Sequence, residues 1–209
     1  MIVLPRRALV LGPPLVLGLL ELGHPGVTPS TPLVATLTPI ATWWTVLHVA
    51  QVPLFALLGL AVMRLVRDLD GRAARISARA LAVFIVAYPA FDAAVGVGSG
   101  VMLSGLGPLS ADGMAAIEPG LRALFWGPVT GLMAIVAAGA WLIALVAAAW
   151  AWRAAGAPWP VVALLALSGL VLGFSHTRPF GPIACGALLL AAAWIESAGA
   201  RWRSGPRPA

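Results

Sequence analysis

The sequence predicts an all-α polytopic transmembrane helical bundle, because three observations agree. Hydrophobic residues make up 61% of the 209 residues and charged residues only 10%, against roughly 45–50% and 25% in soluble domains. The apolar residues fall in six long runs, and the arginines gather in the connections on one side of them. We therefore expect residues 1–209 to form a single integral membrane domain, with no separate soluble domain.

The apolar runs are interpreted as spans by their length. A transmembrane helix needs roughly 20 apolar residues, with a lower limit near 17. The predicted spans are Ala8–Leu22, Trp43–Val66, Ala80–Leu103, Leu124–Trp152, Trp159–Phe174 and Pro182–Ser197. The first is expected to be a retained signal anchor, because Gly23, His24 and Pro25 follow it in place of a small-residue cleavage site.

The arginines predict the orientation. All 13 basic residues are arginine. Arg122 and Arg178 fall on one side of the predicted spans, and the others, among them Arg207, fall on the opposite side. Because arginine-rich loops mark the cytoplasmic side, we predict both termini in the cytoplasm. This pattern explains the net charge of +6 through contact with anionic membrane lipids rather than nucleic acid. The lysine-free composition favours a bacterial protein of the cytoplasmic membrane.

Asp92 is the sharpest polar signal, because it lies in the middle of the third predicted span. A charge at that depth costs about 2.5–3.5 kcal/mol, so such a residue faces the bundle interior, is protonated or has a partner. Tyr88, Asp92, Gly96 and Ser99 follow helical spacing and should share one face. Pro89 should kink the helix or unwind a turn there.

The second predicted span offers partners for Asp92. Trp44, His48, Gln51 and Phe55 also follow helical spacing. A rise of 1.5 Å per residue places His48 about 7–8 Å, Gln51 about 12 Å and Asp92 about 16 Å below the outer surface. These depths predict Gln51 as the nearest partner of Asp92, in a polar ladder that continues through His48 to the surface.

Further polar residues fall at the outer ends of the spans. Arg178 is expected to pair with Glu21, Glu118 or an anionic headgroup. A short outer helix is expected to begin after Ser110 and to end before Pro119. Each polar residue has an ordinary structural alternative as an interfacial or hydrogen-bonding group. The candidate ligand-binding residues are Trp44, Gln51, Tyr88, Glu21, His24, His176 and Arg178.

Histidines and carboxylates raise the question of a metal or haem. His24, His48 and His176 could ligate a metal such as zinc, but no His-Glu-x-x-His motif is present. The predicted difference in depth between His48 and His176 argues against a bis-histidine haem. No motif indicates a cofactor, so its identity stays open. Small residues spaced four apart, such as Gly96 and Gly100, predict close helix packing within the bundle and leave a homo-oligomer possible.

Three functions fit these residues. The first is a polar pocket in the outer half of the bundle that binds a lipid or small amphiphile. The second is an intramembrane enzyme that acts on an isoprenoid or lipid, with Asp92 and His48 as its catalytic residues and with Trp44, Tyr88 and Trp141 lining the cavity. The third is a proton-coupled carrier with Asp92 as the titrating site, although no inverted repeat is evident.

Overall fold

The computed structural model describes residues 5–204, so Arg207 lies outside the described residues. The fold is all-helical, with no strand between residues 5 and 204. This confirms the predicted fold class of a helical membrane bundle. The helices are α1 Arg6–Glu21, α2 Leu33–Leu37, α3 Ala41–Val66, α4 Arg72–Asp92, α5 Gly98–Ser104, α6 Ala111–Trp126, α7 Pro128–Ala154, α8 Trp159–Phe174 and α9 Phe180–Ser204.

Several helices follow one another almost without interruption. A 3₁₀ turn at Thr38–Ile40 joins α2 to α3, and a π turn at Ala93–Val97 joins α4 to α5. Four helical stretches are long and apolar enough to cross a membrane, at Leu33–Val66, Arg72–Ser104, Ala111–Ala154 and Phe180–Arg203. α1 and α8 have 16 residues each. The predicted total of six spans therefore stays a prediction.

Six helices pack side by side in a closed ring. The order around the ring is α1, α3, α4, α7, α8 and α9, and α9 packs against α1. The core between them is apolar, and Phe55, Phe84, Trp141 and Leu145 are fully buried in it. Apolar side chains such as Val86, Ile135 and Leu170 remain exposed around the outside, as expected for a surface that faces lipid.

The helix before α7 corrects one prediction. Ser110 does cap α6, because its hydroxyl oxygen accepts a hydrogen bond from the Gly113 N–H at 3.1 Å. The helix does not end before Pro119, however, but continues to Trp126. Pro119 is tolerated because α6 is largely exposed, so the carbonyl that loses its N–H partner can be solvated. Near the start of the fourth predicted span, Gly127 is extended and α7 begins at Pro128.

The prolines have different effects on the helices that contain them. α1 and α3 remain α-helical through Pro13, Pro14 and Pro53. Pro89 lies in α4 just before the π turn at Ala93–Val97. Because proline donates no hydrogen bond to the preceding turn, the helix is weakened there. π turns inside α-helices often occur at functional sites, and this one lies directly after Asp92.

The ring has two chemically different ends. At the arginine end, defined by Arg6, Arg64, Arg153 and Arg203, Arg6 donates to Glu196 at 2.8 Å and to Asp68 at 3.1 Å. At the histidine end, defined by His24, His48 and His176, the end of α1 meets the start of α3 and the connection between α8 and α9. The candidate functional residues His24, His48 and His176 therefore lie together at one end of the ring.

Candidate functional site

A cavity of about 280 Å³ opens at the histidine end of the ring. We call it the histidine pocket. Its polar side consists of the three histidines together with Trp44, Tyr88 and Asp92, and its apolar side is lined by Phe91, Val95, Phe125, Ala134, Ala138, Leu172 and Phe174. A larger groove of about 520 Å³ lies near the arginine end, between α4 and α7. Among the described residues that line this groove, Arg72 is the only charged one, so the histidine pocket is the candidate functional site.

The three histidines converge although they come from distant parts of the chain. One ring nitrogen from each of them lies within 4.8 Å of the others. The Nε2 atoms of His24 and His48 lie 3.3 Å apart. The predicted difference in depth between His48 and His176 therefore does not keep their imidazoles apart. Helix rise ignores the reach of side chains, and His176 extends from the α8–α9 connection to Tyr88.

Each imidazole is held through its Nδ1 atom. His24 Nδ1 lies 2.8 Å from the carbonyl oxygen of Pro25, and His48 Nδ1 lies 2.7 Å from that of Trp44. His176 Nδ1 lies 3.0 Å from the Tyr88 hydroxyl. His176 Nε2 is buried without a hydrogen-bond partner among the described residues. The Nε2 atoms of His24 and His48 face each other at 3.3 Å, so in all three rings Nε2 is the atom that no carbonyl or hydroxyl group holds.

Asp92 lies beside this cluster and is almost fully buried. Its Oδ1 is 3.9 Å from His48 Nε2, and its Oδ2 has no hydrogen-bond partner in residues 5–204. The predicted shared face is confirmed, since Tyr88, Asp92, Gly96 and Ser99 are all buried. Asp92 therefore presents an unsatisfied carboxyl oxygen at the pocket, which is costly unless a ligand completes it.

Gln51 does not connect Asp92 with His48 as predicted. Its Nε2 donates instead to Glu21 Oε1 at 2.6 Å, and both side chains are fully buried. The depth estimate compared only α3 and α4, whereas the end of α1 packs against α3 and brings Glu21 to Gln51. The polar ladder is therefore wrong, and the Glu21–Gln51 pair forms a second buried polar unit next to the histidines.

Trp44 fixes the position of His48. Its indole N–H lies 3.0 Å from both the Gly96 carbonyl oxygen and Ser99 Oγ. Its ring lies against the imidazole of His48, with 4.3 Å between the ring centroids. Gly96 is required at this contact, because a Cβ there would overlap His48. The sequence predicted the burial of these residues but not their pairing.

Arg178 does not pair with Glu21 or Glu118, the two acidic residues expected as its partners. Arg178 is exposed and forms no ion pair in the part of the chain that the structure describes. Glu118 pairs with Arg122 at 3.0 Å and accepts hydrogen bonds from the backbone N–H groups of Leu33 and Val34. The outer helix α6 is thereby fastened to α2, close to the pocket.

Sequence reasoning also missed part of the apolar lining. Phe125 and Phe174 line the pocket, but nothing in their local sequence distinguishes them from lipid-facing residues. Ala134 and Ala138, one helical turn apart on α7, leave room for the cavity. Trp141 does not line it; its indole N–H donates to the Ser168 carbonyl oxygen at 3.2 Å within the core. The assignment of Trp141 to the cavity is therefore wrong.

The environment of His24 favours the neutral form of its imidazole. His24 lies in the connection between α1 and α2 and is only 1% exposed. Burial lowers the pKa of His24 well below its usual range, because a charged imidazole would lose its hydration there. His24 is therefore neutral at pH 7. Neutral imidazoles are the form in which histidine binds a metal.

Comparison of this chain with protein-family models, with curated proteins and with solved structures finds no match.

Proposed function

We propose that this chain is a protein of the bacterial cytoplasmic membrane whose histidine pocket, on the outer side, binds a lipid-derived or other small amphiphile. The observation that carries this proposal is the division of one cavity into a polar and an apolar side. Asp92, Tyr88 and the histidines line one side, while Phe125, Phe174 and Leu172 line the other.

The size of the cavity limits what enters it. Pockets for small molecules range from about 300 to 1,000 Å³, and the histidine pocket, at about 280 Å³, lies at the lower limit. It fits a polar headgroup with a short apolar segment rather than a whole phospholipid. The unpaired Oδ2 of Asp92 is the hydrogen-bonding group that such a headgroup would satisfy.

The test is to fill the cavity from its apolar side without changing its polar groups. Ala138→Leu places a larger side chain in the lining. Gly139→Leu is the matched control, because nothing lies within 4 Å of a Cβ at Gly139. Native mass spectrometry of the gently solubilised protein would report any retained amphiphile as an added mass.

We expect an adduct in the parent protein and in Gly139→Leu, and its loss in Ala138→Leu. An adduct retained equally by both variants, with both folded, would place the amphiphile outside the histidine pocket. A bare protein mass after extraction from the native membrane in each case would also contradict the proposal.

An intramembrane enzyme is a second candidate, favoured by the position of Asp92. Its unpartnered carboxyl oxygen and the neighbouring imidazole of His48 lie on the polar side of the histidine pocket. There they could transfer a proton to or from a bound substrate. Incubation that changes the mass of the retained amphiphile, in the parent protein but not in Asp92→Asn, would favour the enzyme over a simple binding protein. No contact in residues 5–204 specifically favours the proton-coupled carrier.

A further inference from the structure

We propose that His24, His48 and His176 together bind one divalent transition-metal ion, of the Zn²⁺ class, through their Nε2 atoms. This goes beyond the binding of an amphiphile and does not depend on it. The inference stands on the geometry of the three imidazoles, on their hydrogen-bond partners and on the adjoining cavity.

The spacing of the imidazoles fits a metal centre. In a tetrahedral zinc site, each nitrogen lies about 2.0–2.1 Å from the ion, so two ligand nitrogens lie about 3.3–3.4 Å apart. The Nε2 atoms of His24 and His48 are 3.3 Å apart. The third imidazole already has a nitrogen within 4.8 Å of both, and a side-chain rotation would bring it closer.

The hydrogen bonds of His24 and His48 leave their facing atoms without a proton. A carbonyl oxygen only accepts hydrogen bonds, so the Nδ1 atom next to Pro25 and the one next to Trp44 each carry a hydrogen. In a neutral imidazole with its hydrogen on Nδ1, the Nε2 atom carries no hydrogen and has a free lone pair. Two lone pairs at 3.3 Å repel each other, and either a shared proton or a metal cation between them removes that repulsion.

The same contacts are the outer contacts expected of metal-binding histidines. Such histidines usually donate their other ring N–H to a carbonyl, a carboxylate or water, which fixes the tautomer and the ring orientation. Pro25 and Trp44 provide carbonyl oxygens for His24 and His48. The Tyr88 hydroxyl contacts Nδ1 of His176. Tyr88 is therefore a positioning residue for His176 rather than a ligand.

The surroundings favour a zinc-type ion and an open coordination position. The single cysteine, Cys185, is buried in the apolar core and is absent from the pocket lining, so the cluster offers nitrogen rather than thiolate ligands. Three protein ligands beside a cavity are typical of catalytic rather than closed structural zinc sites. The carboxylate of Asp92, 3.9 Å from His48 Nε2, would offset part of the positive charge.

The alternative is a packed cluster of neutral imidazoles with no metal. Edge-to-face contacts would then hold the rings, as seen between His24 and His176, whose centroids are 4.8 Å apart. A proton shared between His24 and His48 is a further way to relieve their repulsion. Direct measurement of metal separates both alternatives from the proposed site.

The experiment uses the full chain, purified in detergent through a tag that contains no histidine. Metal content after dialysis against Zn²⁺ is measured by inductively coupled plasma mass spectrometry, and Co²⁺ is added separately as a spectroscopic probe. We expect one Zn²⁺ per chain and the visible absorption of tetrahedral Co²⁺. We expect His24→Gln, His48→Gln and His176→Gln each to lose bound metal, while Cys185→Ser, the control for a thiol ligand, retains it.

Because a histidine variant could fail to fold, Tyr88→Phe provides a second test. It keeps the aromatic ring against Phe55 and removes only the hydroxyl next to His176. Loss of such an outer contact typically weakens metal binding 10–100-fold, so we expect a weakened but measurable affinity. A folded parent protein that binds no Zn²⁺, or folded histidine variants that all bind as the parent does, would overturn the proposal. Unchanged Zn²⁺ affinity in Tyr88→Phe would overturn the positioning role.

Discussion

Gly96 brings the π turn against His48 with no room for a side chain. Its carbonyl oxygen accepts a hydrogen bond from Trp44, and an added Cβ would overlap the His48 imidazole. Gly98, two residues later, differs in this respect, since a Cβ there would meet only the Ala93 carbonyl oxygen at 3.7 Å. Substitutions at Gly96 therefore test the close contact with His48, whereas substitutions at Gly98 test only the helix propensity of glycine.

We predict opposite effects for alanine at these glycines. Gly96→Ala should destabilise the protein by about 1–3 kcal/mol, the usual cost of overpacking. Gly98→Ala should stabilise it by about 0.5–1 kcal/mol, because glycine weakens a helix interior. Thermal unfolding in detergent, followed by circular dichroism, would report both. Equal melting temperatures for the two variants would contradict the close contact with His48.

At the residue scale, burial was predictable and pairing was not. Helical spacing correctly predicted the buried faces that carry Tyr88, Asp92, His48 and Gln51. The choice of Gln51 as the partner of Asp92 was wrong, because depth along two helices says nothing of a third helix. Which atoms meet depends on the packing of α1 against α3, and no local pattern contains that information.

Helix α6 supplies Phe125 to the pocket lining, and a carboxylate and an arginine fasten it to α2 and to the connection before α2. Glu118 accepts hydrogen bonds from the N–H groups of Leu33 and Val34, at 3.0 and 2.8 Å, at the start of α2. Arg122 reaches from the same helix to the carbonyl oxygens of Pro29 and Thr31. A carboxylate at a helix N-terminus satisfies N–H groups that have no partner within the helix.

We expect Glu118→Ala to loosen this contact. Hydrogen bonds to charged groups contribute about 1.5–3 kcal/mol each when buried; partial exposure of Glu118 should reduce the total to about 1–2 kcal/mol. Limited proteolysis in the connection before α2 should accelerate. Asp112→Ala is the control, since Asp112 is exposed in the first turn of the same helix. Equal cleavage rates in both variants would mean that Glu118 does not hold α2.

The arginine end is held by a different contact, from α1 to two other parts of the ring. Arg6 contacts Glu196 on α9 and Asp68 after α3. The Arg6 guanidinium beside Asp68 lowers the pKa of that carboxyl below its usual range. A lowered folded pKa stabilises the fold above the unfolded value, near 4, and this stabilisation is lost as pH falls through the folded value.

We therefore predict that Arg6→Gln lowers the melting temperature at pH 7 and that this effect shrinks below about pH 4. Exposed ion pairs contribute about 0.2–1 kcal/mol, so the expected loss is about 1 kcal/mol. Arg7→Gln is the control, because Arg7 is the adjacent exposed arginine. A loss of equal size at pH 7 and at pH 3 would contradict the role of Asp68.

At the scale of the whole molecule, the polar residues are sorted between the two ends of the ring. The apolar runs and the arginine bias were enough to predict the bundle and this sorting. They could not predict the break at Gly127 and Pro128, because the sequence stays apolar across it and only the extended backbone of Gly127 separates α6 from α7. The three histidines were suggested as metal ligands, but the way their rings meet was not predictable, because it depends on the reach of His176 from a connection.

The sorting leads to a prediction about orientation. If the arginine end is cytoplasmic, Asp70 lies inside the cell and Asp112 outside. Both residues are exposed and both belong to connections or helix starts away from the core. Cys185 is the single cysteine, so Cys185→Ser gives a cysteine-free background into which Asp70→Cys or Asp112→Cys can be introduced one at a time.

A membrane-impermeant maleimide applied to intact cells should label Asp112→Cys, and it should label Asp70→Cys only after the cells are opened. Each variant is the control for the other, because both carry one exposed thiol on the same background. The reverse labelling pattern would place the histidine pocket on the cytoplasmic side, and an amphiphile or metal ion would then have to reach it from within the cell. Labelling of both positions in intact cells would contradict a bundle that crosses the membrane between its arginine and histidine ends.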